Sequence, residues 1–146
     1  MKAITTIVTP VDLEDHTEKL VEYAAYMADK LSASLILIHI VEPFRVIGNM
    51  EVGTTELEQY NTNLTLQAEE WLEKLVNSYS SCSGSKVIRG DIVDSIVDFA
   101  KEQEAGLIII GTHGTKGIEK LLLGSVAERV VKNAHCPTLV MNPFKQ

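Results

Sequence analysis

The chain reads as a single α/β domain, a doubly wound, Rossmann-like parallel sheet of five strands with helices on both faces, and three observations predict it. Five short runs rich in β-branched residues alternate with four longer stretches of helical period along the whole length. Four of the five runs are nearly apolar throughout, the mark of strands covered on both faces. The 146 residues suit one core and are too few for two comfortable ones.

The strands are predicted at residues 4–8, 35–41, 87–89, 107–110 and 138–141. The third, Lys86-Val87-Ile88-Arg89, is short and polar and reads as an edge strand. The first helix opens at a capping box of Asp15 and Glu18 and carries Leu20, Ala24, Met27, Ala28 and Leu31 at helical spacing. A second box, Thr55 with Glu58, precedes a stripe of Leu57, Tyr60, Leu64, Ala68, Trp71, Leu72, Leu75 and Tyr79, in which Trp71 reads as core. The third helix opens at Asp91 and the fourth at Ser125. Residues 42–54 form the one long connection, and residues 78–85 a short polar loop. Right-handed crossovers then lay all five strands parallel.

Composition bounds the function. Apolar residues make up 45% and charged residues 23%, the balance of a globular protein. No apolar run approaches the ~20 residues that cross a bilayer, and residues 1–8 lack the pattern of a secretory signal. A cytoplasmic protein without membrane insertion is expected. The formal charge of -7 opposes nucleic-acid binding, which lysines and arginines drive by displacing counterions. Cys82 and Cys136 stand in no C-x-x-C pair and read as idle thiols.

The informative stretch runs from Gly111 to Ser125 as Gly, two residues, Gly, nine residues, Gly-Ser. It leaves a buried strand and ends at a helix start. Gly111 and Gly114 permit backbone angles and close approaches closed to other residues. Gly124 and Ser125 offer amides at a helix N-terminus, where the dipole favours an anion such as phosphate. Neither a Walker loop nor a dinucleotide fingerprint is present.

This spacing resembles the ATP-binding signature of the universal stress protein family. The resemblance extends over nearly the whole chain, through Val8-Thr9-Pro10-Val11-Asp12, Leu37-Ile38-His39-Ile40-Val41, Leu123-Gly124-Ser125-Val126 and His135-Cys136-Pro137-Thr138-Leu139-Val140. It implies a sheet ordered 3-2-1-4-5 and a site for ATP, AMP or ADP at its carboxyl edge. Asp12, beside Pro10 at the first strand's end, would touch the nucleoside. The main chain at Val41 would meet the adenine edge. Ile110, Gly111, His113 and Gly114, with Gly124, Ser125 and Val126, would hold ribose and phosphates, with Gly117 a further position or an ordinary turn glycine. The family also implies a homodimer, and an apolar final strand at residues 138–142 offers an edge for one.

Plainer roles stand beside these. Asp12 can cap a turn, and Ser125 can form a capping box with Glu128. His39 sits in an apolar strand and reads as structural, while Lys116 and Lys120 are point charges near the phosphates or merely solvated loop residues. Glu119 is the one carboxylate within the loop and nothing marks it as a base. A divalent ion such as magnesium can ride on the nucleotide phosphates with few protein ligands. The expected function is therefore an adenine-nucleotide-binding signalling module of the stress response rather than an enzyme. The alternative is a slow ATP-hydrolysing or adenylate-transferring enzyme. A receiver-like domain with Asp91 as phosphoacceptor ranks last, since it leaves the glycine loop unexplained.

Overall fold

In the central strands apolar side chains alternate between two buried faces, and helices cover both. The structure, a computed structural model, describes residues 3–43, 53–112 and 124–144. Its elements are β1 (Thr6–Pro10), α1 (Thr17–Leu31), β2 (Ser34–Val41), α2 (Thr54–Ser78), β3 (Cys82–Arg89), α3 (Ile92–Glu102), β4 (Leu107–Gly111), α4 (Ser125–Asn133) and β5 (Thr138–Met141). All pairings are parallel, and the strand order is β3-β2-β1-β4-β5, as the family resemblance implied.

Two cores flank the sheet. Ile7, Leu35, Leu37 and Ile109 face α1 and α2, where they meet Val21, Ala24, Leu72 and Leu75. Val8, Ile38, Ile108 and Ile110 face α3 and α4, against Ile96, Phe99, Ala127 and Val130. Successive strand residues thus enter opposite cores, which is why periodicity of two was overwritten by continuous apolar runs. Among the described residues no helix is long and apolar enough to cross a membrane.

Several local expectations are corrected. The first strand lies at Thr6–Pro10 rather than 4–8. Pro10 is tolerated in a central strand because β4 has already parted from β1 there, so no acceptor on that side waits for its missing amide. The third strand begins at Cys82 and takes in half of the supposed polar loop, pairing with β2 from Leu35 to Val41. It is the edge strand expected, and its one exposed face explains the polar residues that hid its length.

Three expected capping boxes are absent. The N-cap of α1 is His16, that of α2 is Gly53 and that of α4 is Gly124, none with a side-chain cap. Asp91, by contrast, caps α3 by accepting from the Asp94 amide at 3.0 Å. The α2 stripe is also turned slightly: Asn61, Ala68, Leu72 and Leu75 are buried, while Tyr60 is exposed.

Candidate functional site

The strand order reverses between β1 and β4. From β1 the chain crosses to β2, and from β4 it crosses the other way to β5, so their carboxyl ends form the switch point of an open α/β sheet. The ladder makes this a crevice. β1 pairs with β4 only at Ile7–Leu107 and Val8–Ile108, whereas β1 stays paired with β2 through Pro10 and β4 with β5 through Gly111. Beyond Val8 the two halves of the sheet diverge, and Pro10 and Gly111 end on opposite walls.

The β1 wall is organised by Asp12. Its Oδ1 accepts from the Glu14 amide at 3.2 Å, closing a turn, and from the Thr17 hydroxyl at 3.0 Å. Its Oδ2 accepts from His16 Nε2 at 3.1 Å. The turn-capping role is therefore real, and it explains why the Asp15–Glu18 box does not form: Asp12 secures the first turn of α1 in its place. Between Asp12 and Glu14, Leu13 takes a left-handed backbone with φ 66°, a conformation costing a branched side chain about 1–2 kcal/mol. Strain of this kind persists where surrounding bonds hold it, and here it sits one residue from the proposed ligand group.

β2 is tied to the same wall. His39 Nδ1 donates to the Val11 carbonyl at 2.7 Å, which fixes the proton on Nδ1 and gives His39 the structural role expected of it. Val41 is buried, and its carbonyl accepts from the Gly90 amide at 3.1 Å. Any ligand contact at Val41 therefore goes to its main chain, where the carbonyl keeps a second lone pair.

The β4 wall is made of main chain. The Thr112 amide donates to the Met141 carbonyl at 2.9 Å, and the Gly124 amide donates to the Thr112 carbonyl at 2.9 Å. This corrects the expectation that Gly124 presents a free amide. The bond instead brings the start of α4 against the end of β4. The helix ladder begins with Glu128 N to Gly124 O, so the amides of Ser125, Val126 and Ala127 lie ahead of it. Ser125 is exposed, Val126 half-buried and Ala127 buried. Glu128 forms no capping box with Ser125; its carboxylate pairs with Lys132 at 2.8 Å.

The glycines also act otherwise than expected. Gly124 has φ −57°, and among the described residues the one glycine with positive φ is Gly90, so Gly111 does not take the special backbone angle expected of it. Ile110 is buried in the α3/α4 core and has only main chain to offer. His113, Gly114 and Gly117, with Lys116, Glu119 and Lys120, lie outside the described residues.

Both thiols are quiet. Burial, then the Asp29 carboxylate, pushes Cys82 up to about 11, and burial also raises Cys136. Neither is a reactive thiolate near neutral pH. Asp91 is spent as a helix cap. Among the described residues no three His, Cys, Asp or Glu side chains gather as metal ligands.

The family model that describes the universal stress protein family matches residues 3–142. The chain belongs to that family. A universal stress protein of Methanocaldococcus jannaschii is 34% identical over 149 residues, covering 96% of this chain and 83% of the relative. Among solved structures, a universal stress protein of Lactobacillus plantarum superposes with TM-score 0.82 at 23% identity, covering 97% of this chain and 99% of its own. One from Archaeoglobus fulgidus, solved in complex with dAMP, gives 0.58 at 24% identity, covering 95% and 98%.

Reasoning from sequence missed His16, Thr17 and Phe144. His16 and Thr17 follow Asp12 at offsets of four and five, a signal obscured by the competing Asp15–Glu18 pattern.

Proposed function

We propose that this universal stress protein binds an adenine nucleotide, ATP or its AMP or ADP relatives, in the crevice between β1 and β4, and serves as a signalling module of the stress response. The observation that carries the reading is the parting of β1 from β4 beyond Val8, with a helix N-terminus on one wall and a carboxylate on the other. Asp12 with Pro10 meets the nucleoside, the Val41 main chain meets the adenine edge, and the amides of Ser125, Val126 and Ala127 meet phosphate. Gly111 and Gly124 keep the approach clear. His113, Gly114 and Gly117 are the further phosphate contacts of this reading. The family relative solved with dAMP supports an adenine ligand for this fold.

A divalent ion accompanying ATP would keep phosphate and water as its ligands. The residues at hand suit that arrangement better than a protein cage, because the Asp12 carboxylate already accepts from three donors. Binding rather than turnover is favoured, since hydrolysis needs a positioned base and Asp12 is committed elsewhere. A slow ATP-hydrolysing or adenylate-transferring activity is the second reading. Assembly as a cytoplasmic homodimer through β5 is supported by the position of that strand at a free sheet edge. A groove of about 630 Å³ runs beside it, between Lys19, Glu22, Tyr23 and Tyr26 of α1 and residues 139–143.

Titration calorimetry with ATP, run beside a phosphate-release assay, tests the proposal. Saturable binding without turnover above background is expected. Turnover that scales with enzyme and is lost in an Asp12→Asn variant would favour the second reading, and no heat with any adenine nucleotide would end both.

A further inference from the structure

The Asp12 carboxylate is fixed from two directions, and only one belongs to the turn that contains it. Oδ1 is held by groups at the start of α1, the Glu14 amide and the Thr17 hydroxyl. Oδ2 is held by His16, whose ring does not cap its own helix and is free to reach back. What steadies that ring comes from the far end of the chain. Phe144 lies against it with centroids 5.2 Å apart and planes at 51°, a tilted aromatic contact. Phe144 is itself presented by a turn in which its amide donates to Asn142 Oδ1 at 3.0 Å.

The same short segment reaches the opposite wall. Met141 accepts from the Thr112 amide, and Thr112 in turn accepts from Gly124 at the start of α4. Residues 141–144 therefore touch both sides of the crevice: the β4 wall through a backbone carbonyl and the β1 wall through an aromatic ring. Phe144 is 60% exposed, so burial alone does not account for its placement.

We propose that Phe144 and His16 are positioning residues for Asp12, so that the segment after β5 sets the geometry with which the β1 wall meets a nucleoside. The inference rests on the nucleotide reading above. Without Phe144 the imidazole loses its backing and Oδ2 its fixed donor, while Oδ1 keeps both of its own. The carboxylate then turns more freely, and the loss falls on the nucleoside and spares the phosphates.

ATP and inorganic tripolyphosphate serve as probes for calorimetry on the full chain. Phe144→Ala is expected to weaken ATP about three- to tenfold, the size of an aromatic contact's contribution, and to leave tripolyphosphate unchanged. Phe144→Tyr, which keeps the ring, restores ATP affinity. In an Asp12→Ala background, Phe144→Ala adds nothing further, because the group it positions is gone. In the ligand-free protein the carboxyl carbon resonance of Asp12 shifts in Phe144→Ala and in His16→Ala. The inference is overturned if wild type binds ATP and Asp12→Ala weakens it while Phe144→Ala matches wild type in affinity and carboxyl resonance; the nucleotide reading then survives. If wild type binds no ATP, that reading falls and takes this inference with it.

Discussion

The two walls of the crevice are built from different material. On the β1 side, side chains do the holding: Asp12 holds His16 and Thr17, and Phe144 backs His16, from two separate stretches of chain. On the β4 side the bonds are main chain to main chain, Met141 to Thr112 and Thr112 to Gly124, and the side chains there are small or point into the core. The difference suits the two parts of a nucleotide. A nucleoside is recognised by a few placed polar groups. A polyphosphate is met by amides and a helix dipole, which need no particular side chain and no net positive charge. A chain of formal charge -7 has reason to rely on the second device.

Each wall should therefore fail in its own way, while a change beneath both should fail them together. The largest effect is expected from Ile109→Ala. Ile109 is fully buried in β4 against the α1/α2 core, and truncation there costs roughly 2–5 kcal/mol, read as a lower urea midpoint. A loss below about 1 kcal/mol would mean that the core collapses around the gap far more readily than its packing suggests.

Asp12→Ala comes next and isolates the β1 wall. It leaves the buried Thr17 hydroxyl and the Glu14 amide without their acceptor, at a cost of about 1–3 kcal/mol in stability. ATP affinity should fall with it, whereas tripolyphosphate affinity should hold. An equal loss for both probes would erase the distinction between the walls.

The smallest effect lies away from the crevice, and it shows what a residue outside both walls does. Burial raises the Cys82 pKa from 9.0 to about 11, so the folded chain keeps a proton that the unfolded chain releases first. This contribution is fully present below pH 9.0 and is lost as pH rises towards about 11. The alkaline fall in urea midpoint should be shallower in Cys82→Ala, with ATP affinity unmoved. An identical alkaline slope would remove Cys82 from the account.

Much of the fold was legible because its signals are redundant. β2, β4 and β5 announced themselves as apolar runs, and Asp91 capped α3 as its place before Ile92 suggested. Legibility failed where position in the sheet outweighs composition. β3 is eight residues long, but as an edge strand it needs apolar side chains on only one face, so its first half looked like a loop. Two of the capping boxes failed for a different reason: Asp12, slightly earlier in the chain, takes the local bonds ahead of α1, and Gly124 bonds back to Thr112, a contact that local patterns do not encode.

The site divided in the same manner. Asp12 and the glycine spacing could be read from residue type and resemblance. The clasp of Phe144 on His16 could not, since it joins positions more than a hundred residues apart in sequence. Nor could the spending of the Gly124 amide on Thr112, because any residue but proline could make that bond.

The claim that amides grip the phosphates can be tested by removing one amide and nothing else. Ser125 is the first residue of α4, where proline is well tolerated, and Gly124 before it already has the extended ψ of 149° that a following proline requires. Calorimetry of ATP and tripolyphosphate with Ser125→Pro, against Ser125→Ala as the control that loses only the hydroxyl, makes the comparison. Ser125→Pro is expected to fold as wild type and to weaken both probes by about tenfold or more, the worth of a hydrogen bond to a charged group, while Ser125→Ala stays near wild type. Wild-type affinity in a folded Ser125→Pro variant would contradict the account.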